Sequence, residues 1–162
     1  MKIQLFATFR EGRGKEVDIP WHDGLDGHEV LKTLELGPED VKIFQDLTAV
    51  IDSSGLCLFT SFALGAPEYA SLLNAATGTE YDVDGVLEAG ERVYNLERVF
   101  NQLAGMKPED DNLPKRLLEE PIPEGVSKGM VNKLPEMLPK YYEVRGWVDG
   151  FPTQETLDRL GL

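Results

Sequence analysis

Cysteine is nearly absent from this sequence, since Cys57 is the single example among 162 residues. One thiol excludes a disulfide within the chain, and it excludes a metal cluster held only by cysteines of this chain. Long apolar runs are also lacking, because none approaches the ~20 residues that a membrane-spanning helix needs. The N-terminus lacks the apolar stretch of a secretory signal, so we expect a cytoplasmic protein with no membrane span.

Positive charge is scarce as well. The chain has 16 Lys and Arg residues against 29 Asp and Glu residues, which gives a formal net charge of −13. Nucleic acids and anionic membranes both require a surface rich in Lys and Arg, so neither is an expected partner. Hydrophobic residues make up 41% and charged residues 28%, a composition typical of globular chains. The length suits one domain or two small ones, and it is short for a complete cofactor-bearing redox enzyme.

Residues 1–40 carry a strand-like pattern. Apolar and polar side chains alternate with a period of two on both sides of a glycine-bearing turn, which predicts a β-hairpin from about Lys2 to Ile19. A helix is predicted to follow from about Gly27, capped by Asp26 and ended by Gly37. Strand, strand, helix is the first half of a β-grasp, so we expect a partial β-grasp-like segment here.

Residues 41–162 are predicted to form a mainly α-helical domain, so the fold class is α+β. Asp40 is a plausible N-cap of its first helix, although Val41–Phe44 alone equally fits a strand. Helical spacing puts several apolar side chains on one face of the longest helix. The predicted helices cover about 39–54, 69–76, 84–103, 136–144 and 153–160, and the shared face of the longest comprises Val86, Val93, Leu96, Phe100 and Leu103.

Proline shapes the segment between the longest helix and the next one. Six prolines fall between residues 107 and 139, and each removes a backbone donor and disfavours helix in the residue before it. We therefore expect an extended segment there, with a short helical piece near Lys115–Leu118.

The segment Asp52–Cys57 combines a carboxylate, small turn residues, a glycine and a thiol within six positions. A carboxylate such as Asp52 accepts N–H donors from a heterocycle, and Gly55 lets the backbone approach a ligand closely. The thiolate of Cys57 is a ligand for a soft metal or an iron–sulfur cluster. The alternative is a helix C-terminal turn with a buried, inert cysteine, which is the commoner case on composition alone.

Other polar clusters favour structural roles. Tyr81–Gly85 faintly resembles a calcium loop but lacks its further carboxylates, so a helix N-cap is the better interpretation. Asp110–Asn112 could bind a cation, but a polar turn between prolines is the better interpretation. His22 and His28 fit solvated loop residues better than ligands. Arg145, beside aromatic residues, is interpreted as a structural cation–π or carboxylate anchor.

A series of motifs, in order, connects residues 46–162 to a known family. They are Asp52–Cys57, Leu72–Gly78, Gly90–Arg98, Phe100-Asn101, Asp110-Asp111, Leu113-Pro114, Glu120-Pro121, Gly125, Tyr141-Tyr142, Arg145–Trp147, Pro152-Thr153 and Leu157–Leu162. With this set the segment closely resembles the C-terminal domain of the tungsten-containing aldehyde ferredoxin oxidoreductases.

The resemblance implies a mainly helical fold and a cofactor site. In that family the Asp-x-x-Gly-Leu-Cys element belongs to the pterin and cluster site. By resemblance, Asp52 hydrogen-bonds a molybdopterin ring, Gly55 and Leu56 give close backbone contact, and Cys57 ligates a 4Fe–4S cluster. The family oxidises an aldehyde to a carboxylate at tungsten and passes the electrons to ferredoxin. The resemblance assigns no catalytic residue to this chain.

Several parts of the family's site are missing from this sequence. The other three cluster ligands, a Cys-x-x-Cys-x-x-x-Cys run in an earlier domain, have no counterpart among residues 1–162. The second pterin-binding Asp motif and the β-rich domain that covers the cofactor are also missing. We therefore expect a module that is inactive alone and is completed by a protein partner or a homo-oligomer.

Residues 1–40 resemble a different family. The segment Met1–Lys15 is similar to the start of the small, sulfur-carrying subunit of molybdopterin synthase, a β-grasp protein that ends in Gly-Gly. This chain ends Arg159–Leu162 and contains no Gly-Gly pair. The resemblance nevertheless leaves two alternatives open: a non-catalytic protein of molybdopterin-cofactor biogenesis, and a fusion without retained activity.

Overall fold

The computed structural model describes residues 2–4, 16–18, 37–125 and 127–162. Strands β1 (Lys2–Gln4) and β2 (Glu16–Asp18) pair antiparallel, with Ile3 opposite Val17. This pairing confirms the strands of the predicted hairpin. The helix predicted from Gly27 lies outside the described residues, so a partial β-grasp is not confirmed.

The rest of the described chain is mainly helical, as predicted. A second two-stranded antiparallel sheet, which the sequence analysis did not predict, joins the last two helices. None of the helices within these described ranges is long and apolar enough to cross a bilayer. The elements are α1 (Pro38–Ser53), α2 (Ala66–Thr77), α3 (Val83–Leu103), α4 (Lys115–Glu119), α5 (Leu134–Arg145), β3 (Trp147–Val148), β4 (Phe151–Pro152) and α6 (Gln154–Leu160), with 3₁₀ helices at Leu58–Phe62 and Pro108–Asp110.

Local capping signals account for where the helices begin. Residues 41–44 are helical rather than extended, and Gly37, not Asp40 as expected, is the N-cap of α1. The Asp40 carboxylate instead accepts the Gly37 N–H at 2.8 Å from the third helical position. At the start of α3, Asp82 accepts the Gly85 N–H at 2.8 Å, which confirms the N-cap interpretation over a calcium loop.

Helix α5 departs from the extended structure expected up to residue 139. It begins at Leu134 and carries Pro139 inside it. Proline removes the hydrogen bond to the carbonyl four residues earlier, which here belongs to Pro135 in the first turn. The lost hydrogen bond therefore falls in the first turn of the helix, and Tyr141 and Arg145 later in the helix make contacts with α1.

The core lies where α1 packs along α3 and where α2 closes over both. Helices α1 and α3 lie very close together at Gly90, since a Cβ built there would lie 1.8 Å from the Asp46 carbonyl oxygen. Only glycine therefore allows the two helices this separation. The buried apolar residues of this core are Leu47, Val50, Ile51, Ala66, Tyr69, Ala70 and Val86.

Only part of the apolar face predicted for α3 is buried in the core. Val86 is fully buried, whereas Phe100 is 69% and Leu103 83% exposed. The buried side of α3 runs instead through Val86, Gly90 and Asn95. Helical periodicity identified the apolar positions of α3, but Phe100 and Leu103 near its C-terminal end are exposed in this chain.

Candidate functional site

The segment Asp52–Cys57 forms the end of α1 and the turn that follows. Asp52 lies in the last helical turn, and the Ser54 hydroxyl donates to the Ile51 carbonyl at 2.7 Å. Gly55 then adopts a φ of +74°, a left-handed conformation that ends the helix and favours glycine. The sequence prediction of a glycine-bearing turn is confirmed.

Cys57 caps the short 3₁₀ helix and is exposed. Its carbonyl accepts both the backbone N–H of Thr60 at 2.9 Å and the Thr60 hydroxyl at 2.7 Å. The Thr60 hydroxyl is also 2.7 Å from the hydroxyl of the buried Tyr69, which ties the turn to the core. The alternative of a buried cysteine is therefore wrong, and the thiol is presented on an anchored loop.

Large exposed apolar side chains lie next to Cys57 in the sequence and along the 3₁₀ helix that it caps. Leu56 is 37%, Leu58 41% and Phe59 74% exposed, and the rings of Phe59 and Phe62 stack with centroids 5.8 Å apart. Exposed apolar side chains clustered in this way form a candidate contact surface for another protein segment. We call these four residues the apolar rim of Cys57.

A groove of about 210 Å³ lies between α1 and α3, and Asp52 lines it. Its α1 side includes Gln45, which precedes Asp52 by seven residues, so both lie on one helix face. Its α3 side includes Val93, Tyr94 and Glu97. The sequence analysis missed Gln45, Tyr94 and Glu97, although the seven-residue spacing from Gln45 to Asp52 could have indicated the first.

Arg145 lies beside this groove and is 1% exposed. Its guanidinium donates to Asp46 at 2.5 Å and to Gln45 at 2.7 Å, and lies 4.1 Å from the centroid of the Tyr94 ring. The prediction that Arg145 is a structural carboxylate and cation–π anchor is confirmed. Burial raises the pKa of the Asp46 carboxyl, although Arg145 and Lys42 both oppose the shift.

Two further ion pairs connect α3 to neighbouring helices. Glu91 accepts from Arg159 at 2.8 Å and lies 3.2 Å from Lys42, linking α3 to α6 and α1. Burial alone would raise the pKa of Glu91, but the hydrogen bond from Arg159 and the charge of Lys42 outweigh it, so the pKa is lowered. Such pairs hold the helices in register rather than perform chemistry.

In the polar segment 110–112, Asp111 also has structural partners. The carboxylate of Asp111 is paired with Arg98 and accepts the Tyr142 hydroxyl at 2.5 Å. Arg98 also donates to the Gly150 carbonyl at 2.6 Å, which fixes the β3–β4 turn. Burial and the nearby Asp111 carboxylate raise the pKa of Tyr142. These contacts favour the polar-turn interpretation over a cation site.

The residues of this site fit one side of a larger cofactor site. Cys57 has the donor chemistry of an iron–sulfur ligand and its thiol is accessible, and the carboxylate of Asp52 is exposed. Across the described residues, however, no group of three His, Cys, Asp or Glu side chains could hold a metal ion. His22 and His28 lie outside the described part of the chain. A four-thiolate cluster therefore needs ligands from beyond residues 1–162.

The fold and the site together define a mainly helical domain with an exposed carboxylate and an exposed thiol at one helix end, which can supply one thiolate to a cluster but not four. The family model described as aldehyde ferredoxin oxidoreductase, domains 2 and 3, matches residues 7–162. The chain belongs to the aldehyde ferredoxin oxidoreductase family.

Curated relatives are similar over most of this chain. The tungsten-containing aldehyde ferredoxin oxidoreductase of Pyrococcus horikoshii is 54% identical over 133 residues, 79% of this chain and 22% of that protein. The one from Pyrococcus furiosus is 57% identical over 122 residues, 74% of this chain and 20% of that protein. The chain thus spans about a fifth of the length of the curated relatives it matches.

A solved structure supports the same fold. The active-site complex BamBC of benzoyl coenzyme A reductase, in complex with 1,5-dienoyl-CoA, matches with a TM-score of 0.62 and 30% identity, covering 77% of this chain and 19% of that chain. The family match begins at residue 7 and so includes most of residues 1–40. The comparisons do not support the sulfur-carrier resemblance of that segment or the biogenesis function drawn from it.

Proposed function

We propose that this chain is one module of a tungstopterin and iron–sulfur aldehyde oxidoreductase. The complete enzyme oxidises an aldehyde to a carboxylate and passes the electrons to ferredoxin in the cytoplasm. The observation that carries the proposal is the anchored, exposed Asp52–Cys57 turn in a chain of this family. The relatives that carry the tungsten-containing name support the metal.

Each residue of the turn has a role that its environment suits. The exposed Asp52 carboxylate accepts N–H donors of a pterin ring. Gly55 has no atom within 4 Å of the position of a Cβ, which leaves open space for a ligand beside the backbone, and Leu56 offers its main chain there. The Cys57 thiolate serves as one ligand of a 4Fe–4S cluster. When bound, the tungstopterin supplies two-electron redox chemistry, and the cluster supplies one-electron transfer.

The remaining parts of the site come from elsewhere. A 4Fe–4S cluster takes four thiolates and this chain has one, so a second copy would bring the total only to two. A homodimer alone therefore cannot complete the cluster. The missing thiolates come from another segment of a longer polypeptide or from a Cys-rich partner. The apolar rim of Cys57 is the surface against which that segment packs.

Purification from the native host, with metal analysis and identification of co-purifying chains, tests this function. Tungsten and iron together with a Cys-rich segment or partner would support it. The variant Cys57→Ser should lower the iron content, whereas the control Ser61→Ala, which removes only a local hydrogen bond to Leu58, should not. Purified protein that carries neither metal would contradict the proposal.

The isolated chain provides a second test. Because it supplies one of four cluster thiolates, residues 1–162 alone should show no aldehyde oxidation linked to viologen reduction. The assay needs a complete family enzyme as its positive control. Viologen-linked turnover by the isolated, cofactor-loaded chain would overturn the modular interpretation.

A further inference from the structure

The side-chain amide of Gln45 is held in one orientation. Its Oε1 accepts from the Arg145 guanidinium at 2.7 Å and from the Tyr141 hydroxyl at 2.7 Å. A guanidinium can only donate, so the atom that faces Arg145 must be the amide oxygen. The Tyr141 hydroxyl itself accepts from Arg145 Nε at 3.0 Å, which leaves its proton for Gln45. The two contacts together exclude the flipped amide.

The amide nitrogen of Gln45 remains available to a ligand in the groove. Within the described residues, no hydrogen bond is made by Gln45 Nε2, and the side chain is half-buried. Gln45 lines the groove, whereas Arg145 and Tyr141 do not. The edge of the amide turned away from those two residues therefore presents two N–H donors to the groove.

The other groups of the groove are mostly acceptors. Thr48 donates its hydroxyl to the Phe44 carbonyl and Ser53 to the Ala49 carbonyl, so both retain only acceptor capacity. Asp52 is an acceptor at the end of the same helix face. Gln45 and Asp52 are about 10 Å apart at Cα by the rise of the helix. A flat ring that carries N–H donors and a carbonyl acceptor along one edge has the donor and acceptor types complementary to these two side chains.

We propose that Gln45 is a specificity-determining residue of the pterin site: its amide donates to the ring carbonyl while Asp52 accepts from the ring N–H groups. This inference rests on the proposed function and extends it to the choice of ring. The groove then selects a 4-oxo ring, which accepts from Gln45, over a 4-amino ring, which would place donor against donor.

The substitution Gln45→Glu tests this. A glutamate keeps an oxygen toward Arg145 and Tyr141, puts an acceptor oxygen in place of the two donors, and adds one negative charge that the Arg145 guanidinium at 2.7 Å can pair. The probes are pterin, which has the 4-oxo group, and 2,4-diaminopteridine, which has an amino group there. Binding to the isotope-labelled chain is followed by NMR, and Gln102→Glu on α3 is the matched control, since Gln102 is exposed and does not line the groove.

Wild type and Gln102→Glu should prefer pterin, and the side-chain NH₂ signals of Gln45 should shift on binding. Gln45→Glu should lose about tenfold in pterin affinity and reverse the preference in favour of the diamino ring. A merely structural role for Gln45 would change the affinity for both rings alike. An unchanged ratio in Gln45→Glu, or no binding of either ring by wild type, would overturn the inference.

The variant Asp52→Asn separates this inference from the proposed function. Loss of pterin binding in Asp52→Asn with an unchanged ratio in Gln45→Glu would refute the role of Gln45 and leave the pterin site intact. A reversed preference in Gln45→Glu with normal binding by Asp52→Asn would support Gln45 and contradict the role given to Asp52.

Discussion

The guanidinium of Arg145 donates to the carboxylate of Asp46 at 2.5 Å, across 99 positions of the sequence. Both side chains are almost completely excluded from solvent, at 0% and 2% exposure. The pair joins the C-terminal end of α5 to the middle of α1. Since Gln45 and Asp52 also belong to α1, this contact fixes the helix that carries the candidate site.

Removing one member of this pair should be strongly destabilising. Arg145→Met leaves the Asp46 carboxylate buried with Lys42 as its remaining partner, and breaking a buried pair in this way costs about 3–5 kcal/mol. Thermal and urea unfolding followed by circular dichroism measure the loss. The control is Lys133→Met, whose ion pair with Glu136 is exposed at 3.8 Å and should contribute less than about 1 kcal/mol. Similar losses in the two variants would contradict the importance of the buried pair.

Local signals in the sequence were enough to predict much of this fold. Gly78, with a φ of +71°, ends α2 as expected, and Thr153 caps α6 by accepting the Thr156 N–H at 3.2 Å. These features depend on neighbours within a few residues, so the sequence displays them directly. The β3–β4 hairpin was missed because its strands have two residues each, too few for a period-two pattern.

Long-range partners could not be predicted in the same way. The role of Arg145 as an anchor was predictable from the nearby tyrosines, but its carboxylate partner lies in a different helix. The groove residue Gln45 was missed because its orientation depends on Arg145 and Tyr141, about 100 residues later. Phe100 lies on the apolar face predicted for α3 but is exposed. Periodicity identifies an apolar side chain but does not show which surface covers it.

The separation of α1 and α3 should depend on Gly90. In Gly90→Ala the new methyl group would lie 1.8 Å from the Asp46 carbonyl oxygen, so the helices must move apart. Overpacking of this kind costs about 1–3 kcal/mol or more, which exceeds the gain of about 1 kcal/mol in helix propensity. The midpoint of urea unfolding measures the difference.

Gly85→Ala is the matched control, because it adds the same methyl group to the same helix. Its nearest atoms, in the side chains of Asp82 and Tyr81, would be 3.1 and 3.2 Å away and can give way more easily than backbone. Gly85→Ala should therefore be close to neutral. A Gly90→Ala protein as stable as Gly85→Ala would show that the helices are not held at this distance.

The folded protein should become less stable as the pH is lowered, because Glu91 becomes protonated. Its pKa in the folded state is below the ordinary value of 4.5, so the ionised form is stabilised by folding. A lowered pKa contributes stability above the ordinary value, and that contribution is lost as the pH falls below 4.5 toward the folded-state pKa. The raised pKa of Asp46 acts in the opposite direction, so the comparison must isolate Glu91.

The variant Glu91→Gln makes that comparison. Wild type should be more stable than Glu91→Gln at pH 7, and the difference in urea midpoint should shrink as the pH is lowered from 5 to 3. Glu136→Gln, on the exposed side of α5, controls for the loss of a surface carboxyl. A difference between wild type and Glu91→Gln that stays constant or grows over that range would contradict the lowered pKa.

The thiol of Cys57 should react in the native protein. It is exposed on the anchored 3₁₀ turn and is the single cysteine of the chain, so a disulfide reagent such as DTNB should modify one equivalent without denaturant. Cys57→Ser should give no signal, and urea should not increase the extent of labelling of wild type. In the assembled enzyme the same thiol should be protected, because the cluster and the segment packed on the apolar rim would cover it. A thiol that reacts only after unfolding of the isolated chain would contradict the exposed turn, and with it the surface on which the rest of the site is proposed to assemble.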